Sequence, residues 1–156
     1  FYEPNPGSGA LELQPVSMPD EWTRPPAFPS GAGGLAATVD DILAFARLLL
    51  ARGRHGGSQL ISERSVELMT RNHLTHAQIS GGGPLLSGLG WGYGMAVAIE
   101  PDPVSDAPGR YGWDGGYGTS WFTHPARGRI GILLTQTSNV LWNGTRQEFA
   151  QLALRT

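Results

Sequence analysis

The stretch of this sequence best suited to chemistry is Tyr111-Gly-Trp-Asp-Gly-Gly-Tyr-Gly-Thr-Ser-Trp-Phe122, which runs on through Thr123 into His124-Pro125. Gly115, Gly116 and Gly118 weaken a strand entropically, so their clustering asks for close backbone approach to something. A substrate carbonyl reaching a backbone N–H is one such need, because a preorganised donor stabilises an oxyanion as it forms. A Gly-rich aromatic bulge filling a sheet corner is the plainer reading of the same residues.

Other candidates carry less. Gly31-Ala-Gly-Gly-Leu-Ala36 formally matches the dinucleotide fingerprint, but that motif follows a strand, and here Pro25, Pro26 and Pro29 precede it. A tight turn before a helix accounts for those glycines. His73 and His76 have no carboxylate or third histidine at ligand spacing. They read as surface or helix-end residues, as do His55 and His124, each beside Gly or Pro. No metal site and no cofactor is expected. Asn143-Gly-Thr145 fits a glycosylation sequon and equally the lead-in to a helix. The chain has no Gly-x-Ser-x-Gly elbow.

Composition narrows the chemistry further. All 11 basic residues among the 156 are arginine, so this chain has no Schiff-base lysine, phosphate-loop lysine or Ser-Lys pair. A net charge of -2 with scattered arginines leaves no electrostatic footprint for nucleic acid. Without cysteine there is no disulfide, thiolate nucleophile or zinc ribbon. An apolar fraction of 40% against 15% charged residues fits a folded chain, and no apolar run reaches the ~18 residues that span a membrane. The sequence opens on Phe1-Tyr2 with no Met and no signal pattern, and reads as trimmed from something longer.

The elements that must position these residues follow from periodicity. Residues 1–30 read as an irregular, Pro-rich arm, ordered because Leu11, Leu13 and Trp22 call for packing partners. Thr38 caps a helix whose apolar stripe is Val39, Ile42, Leu43, Phe45, Ala46, Leu49 and Leu50, with Gly53 to stop it. Ser62 caps a shorter helix, Glu63 to about Arg71. Gly81-Gly-Gly-Pro84 reads as a loop without regular structure. Beyond it the period becomes that of strands: Trp91 to Glu100, Tyr111 to Trp113, Tyr117 to His124 and Ile130 to Gln136. A last helix, Thr145 to Leu154, turns Phe149, Leu152 and Ala153 to one side. The fold class is α+β, an antiparallel sheet with flanking helices.

Three segments together resemble the C-terminal part of the serine β-lactamase and penicillin-binding-protein-like superfamily, in the branch holding class C β-lactamases and related esterases. Gly31-Ala-Gly-Gly-Leu-Ala-Ala-Thr-Val-Asp-Asp-Ile-Leu-Ala-Phe45 is similar to the turn and helix entering that family's helical lobe. Gly90-Trp-Gly-Tyr-Gly94 is similar to its first C-terminal strand, and Tyr111 to Gln136 to the next two. The resemblance implies that residues 31–156 are the C-terminal part of a β-lactamase/transpeptidase-like domain whose N-terminal half is absent from this chain.

By the same resemblance, Trp113-Asp114-Gly115 occupy the position of the family's Lys-Thr-Gly triad. A one-residue shift would place Asp114-Gly115-Gly116 there. Gly116 would supply one backbone N–H of the oxyanion hole, and Tyr117 and Gly118 would lie against substrate. The family's Ser-x-x-Lys nucleophile motif cannot be here, and its Tyr-x-Asn element lies upstream of the matching segments. No catalytic nucleophile or base is therefore expected in this chain. The implied protein is a serine hydrolase of small esters, amides or β-lactams, or alternatively a non-catalytic ligand-binding or interaction module. Expected partners are the missing N-terminal half and a small acyl substrate, without nucleic acid. An unpaired sheet edge gives grounds for self-association. An exported or cell-envelope location is implied by the family alone. With Trp113 replacing a cation, and Asp114 adding an anion if its face meets substrate, the complete protein is predicted to prefer neutral or amine-bearing substrates over penicillins. Arg110 is the expected partner of Asp114 if that carboxylate is instead held in an ion pair.

Overall fold

The structure, a computed structural model, describes residues 1–14, 24–33 and 35–155. In chain order its elements are β1 (Tyr2–Pro4), β2 (Leu11–Leu13), α1 (Val39–Leu50), β3 (Arg54–His55), β4 (Ser58–Gln59), α2 (Glu63–Met69), α3 (His76–Gly81), β5 (Leu89–Trp91), β6 (Ala96–Ala98), β7 (Tyr111–Gly115), β8 (Thr119–His124), β9 (Arg129–Leu133) and α4 (Thr145–Arg155). β5 to β9 form one antiparallel sheet in sequence order, the simplest topology that short connections allow.

Helices cover both faces. α1 begins in a reciprocal capping box: Thr38 Oγ1 accepts from Asp41 N, and the Asp41 carboxylate accepts from Thr38 N at 2.9 Å. Its buried residues Ala46 and Leu49 face the sheet. There Leu49, Val66, Met95, Val97 and Tyr111 form one core, with Phe45 and Trp121 in edge contact at 6.0 Å. On the opposite face Phe122 packs with Ala150 and Leu154 of α4, against Val104 and Phe149. Strand alternation accounts for the division, since Trp121 and Phe122 must point opposite ways. Each fully buried large side chain contributes roughly 1.5–3 kcal/mol.

Several expectations are corrected. The arm is not irregular throughout, because Tyr2–Pro4 and Leu11–Leu13 pair as a hairpin. Its turn is built by Asn5, whose Oδ1 accepts from Gly7 N and Ser8 N at 2.8 and 3.0 Å. Leu11 and Leu13 are exposed rather than packed, and Trp22 lies outside the described residues. The single strand expected over 91–100 is two, reversing where Gly92 N donates to Met95 O and Gly94 takes φ +93°. The 81–84 segment is also not structureless. A Thr75–Gln78 capping box starts α3, and Gly83–Leu86 follows as a 3-10 turn with Pro84 near its start. α2 stops at Met69. In α4 the buried positions are Ala150 and Leu154, while Leu152 is exposed.

Among the described residues no helix is long and apolar enough to cross a membrane.

Candidate functional site

β7 outruns its neighbour. Its pairing with β6 stops at Ala96–Gly112, whereas its pairing with β8 continues to Gly115–Thr119. Successive residues of an antiparallel strand turn their N–H and C=O to alternate neighbours. With Ala98 N bonded to Arg110 O, Gly112 faces β6 and Trp113 and Gly115 face β8. The peptide groups of Asp114 therefore open toward the side that β6 has left. The chain at the corresponding point, Gly94, has turned away with φ +93°.

The expected site residues cluster at this open end. Trp113 is 39% exposed and meets Trp91 edge-to-face, centroids 4.6 Å apart at 70°. The turn that follows is closed by Gly118 N donating to Gly115 O at 2.9 Å. No side chain crowds Gly116, where an added Cβ would meet nothing within 4 Å. Tyr117 is exposed, with the Phe1 ring 4.6 Å away, so the first residues of the chain sit beside the turn. Gly118 is fixed from behind: its φ is +92°, its carbonyl accepts from Thr135 Oγ1 at 2.7 Å, and Thr137 O closes the space a Cβ would fill.

Asp114 does not share Trp113's face. Its Oδ1 accepts from Ser120 Oγ at 2.6 Å and its Oδ2 from Arg146 Nη1 of α4 at 2.9 Å. Arg110, the expected partner, is bonded to Asp102 instead. The Asp114 carboxylate is thus ion-paired with Arg146 on the opposite face of β7 from the Trp113 side chain.

Sequence reasoning missed Arg146. Only the rotation of α4 on the sheet decides whether it reaches β7. Ser120 was within reach of a count outward from the turn, since Gly115 opposite Thr119 puts Asp114 opposite Ser120.

The histidines divide. His73 stacks on Tyr93, 4.3 Å apart and nearly parallel, and its Nε2 lies 2.6 Å from Leu68 O. His76 opens α3. His124, expected at the surface, is 1% exposed at the end of β8, with Nε2 2.8 Å from Ser105 Oγ. Burial, and then the Arg127 guanidinium, hold it below its ordinary 6.5. Ser105 is itself buried and also donates to Ala107 O at 2.9 Å, so the pair pins a loop and presents no nucleophile to solvent. Asn143 leads α4, its Oδ1 accepting from Thr145 N at 3.0 Å. A cavity of about 650 Å³ on the α4 face, between Leu85, Val104, Phe122 and Trp142, also reaches Asp114 and Arg146. Among the described residues no three His, Asp or Glu side chains gather as metal ligands would.

The antiparallel sheet with helices on both faces is shared with solved β-lactamase-fold hydrolases. The Beta-lactamase family model matches residues 2–154, and the chain belongs to that family. Esterase EstB of Burkholderia gladioli is 32% identical over 124 residues, covering 77% of this chain and 29% of the esterase. Protein Rv1367c of Mycobacterium tuberculosis (strain ATCC 25618 / H37Rv) is 35% identical over 122 residues, covering 72% of this chain and 30% of that protein. The chain thus spans under a third of either relative. Among solved structures, EstCE1, a hydrolase with promiscuous acyltransferase activity, superposes with TM-score 0.67 at 26% identity, over 100% of this chain and 39% of its own. Unliganded simvastatin synthase (LovD) from Aspergillus terreus reaches TM-score 0.71 at 18% identity, over 96% of this chain and 39% of its own, a likeness of fold.

Proposed function

We propose that this chain is the C-terminal lobe of a β-lactamase-like serine hydrolase or acyltransferase, in which the end of β7 and the following turn form one wall of the acyl site. The observation that carries the proposal is the overrun of β7 past β6, which leaves peptide groups uncovered beside the exposed Trp113 and the half-buried Trp91. In this reading Gly116 N–H donates to the substrate carbonyl oxygen as it becomes an oxyanion. The nucleophilic Ser, whose own N–H completes the hole, lies in the part of the protein outside this chain, as does the base that activates it. Trp113 and Tyr117 contact the substrate, Gly118 holds the turn, and Phe1, leading the Tyr2–Leu13 hairpin, lies against Tyr117 of the same wall. Asp114 keeps its charge off this wall. The substrate meets a neutral, aromatic surface where a lysine would bind a carboxylate, which supports short neutral esters and amides over penicillins.

The test compares kcat/KM of the complete protein for a short p-nitrophenyl ester and for a penicillin, with this chain alone as control. Expected are faster ester turnover, trapping of an acyl-enzyme on a serine outside this chain, and no turnover by the chain alone. Binding of either compound with no acyl-enzyme would replace the proposal with a non-catalytic ligand-binding module. Faster turnover of the penicillin would overturn the substrate preference.

A further inference from the structure

The turn from Gly115 to Gly118 is closed by a backbone hydrogen bond, Gly118 N to Gly115 O, and has few side-chain contacts of its own. Gly115, Gly116 and Gly118 have no side chains, Tyr117 is exposed, and β6 no longer supports the strand before them. Side-chain anchors exist on both flanks. Downstream, Thr135 Oγ1 grips the Gly118 carbonyl at 2.7 Å. Upstream, Asp114 is held through both carboxylate oxygens, by Ser120 across the hairpin and by Arg146 from α4. Ser120 lies within the sheet itself, between Asp114 of β7 and Leu133 of β9. Arg146 is the upstream anchor fixed to a separate body, since α4 is packed into the sheet through Ala150 and Leu154.

We propose that Arg146 is a positioning residue of the acyl site, acting through the Asp114 carboxylate to hold the β7 end and the Gly116 N–H in place. The proposal rests on the functional reading above. The charge-assisted contact is directional, and its partners are about a third exposed, at 33% and 35%, so it is only partly screened. Because oxyanion stabilisation depends on donor placement to a fraction of an ångström, freeing this anchor falls on the chemical step more than on substrate capture.

The experiment uses the complete protein and the p-nitrophenyl ester. Arg146→Ala is expected to lower kcat about five- to tenfold with KM changed less than about twofold, as for an interaction realised in the transition state. Asp114→Asn should do the same, the double variant should lose no more than either single one, and Arg146→Lys should restore part of the rate. Arg127→Ala is the control. Arg127 bonds Leu154 O at 3.0 Å and Asp106 at 2.9 Å, so its loss loosens the far end of α4 without touching the turn, and kcat should hold. Unchanged kcat in Arg146→Ala, multiplying losses in the double variant, or an equal loss in Arg127→Ala would each overturn the positioning role. Hydrogen exchange of the Gly115 and Gly116 amides gives a readout independent of turnover. Faster exchange in Arg146→Ala but not in Arg127→Ala supports the anchor even if the parent hydrolyses no ester, and equal exchange overturns it.

Discussion

Replacing Gly118 by alanine tests how the candidate turn is held, with Gly116→Ala as its internal comparison. At Gly118 the left-handed φ of +92° costs a side chain roughly 1–2 kcal/mol. The new methyl also enters the space of Thr137 O, with Thr135 Oγ1 a second obstacle. Residues 135–137 must shift, and loss of the 2.7 Å Thr135–Gly118 hydrogen bond removes about another 0.5–1.5 kcal/mol. The sum is about 2–4 kcal/mol, or a Tm fall of roughly 5–15 °C at about 2–4 °C per kcal/mol. Gly116 has open space around it and no left-handed φ. There alanine should be neutral or stabilise by up to about 1 kcal/mol by restricting the unfolded chain. Thermal unfolding of parent and both variants, followed by circular dichroism, checks the difference. A Gly118→Ala variant melting within about 2 °C of the parent, or equal losses at the two positions, would refute the reasoning.

Phe122→Ala, which empties the core between the sheet and α4, should cost about 3–5 kcal/mol in urea unfolding, with the 650 Å³ cavity beside it enlarged. His124 has a lowered pKa, so the unfolded chain binds more protons; its contribution to stability is complete above about 6.5 and is lost as pH falls below it. His124→Gln should flatten the stability profile of the protein between pH 7 and 5. The isolated chain, with β5 and β9 at the two edges of its sheet, should self-associate; a monomeric mass by light scattering at high concentration, with a cooperative melt, would count against that.

What could be read in the sequence was local. The Thr38 cap and the apolar spacing from Val39 to Leu50 specify α1 without reference to anything distant. The glycine and aromatic content of residues 111–122 marked strand segments at Tyr111 to Trp113 and Tyr117 to His124 around a glycine cluster, and β7, β8 and the turn joining them lie there. What escaped was set by contacts remote in sequence. Arg146 reaches Asp114 across 32 residues, and His124 meets Ser105 across 19. No local pattern distinguishes a His-Pro in a surface turn from one whose imidazole is sealed inside. The Tyr2–Pro4 strand escaped for another reason. Pro4 lies at the strand end, where its missing N–H costs one rung rather than the ladder.

The edge-to-face contact of Trp91 and Trp113 has an optical consequence. Two indoles 4.6 Å apart and inclined at 70° are near enough for their transition dipoles to couple, and a pair of opposite-signed circular dichroism bands is the expected signature. The couplet depends on the angle between the rings more than on the number of tryptophans. A small molecule that settles against Trp113 and tilts it by a few degrees would register in this signal without a label or turnover. Trp91→Phe would remove its share of the signal while leaving Trp113, and Trp121 opposite it on β8, in place.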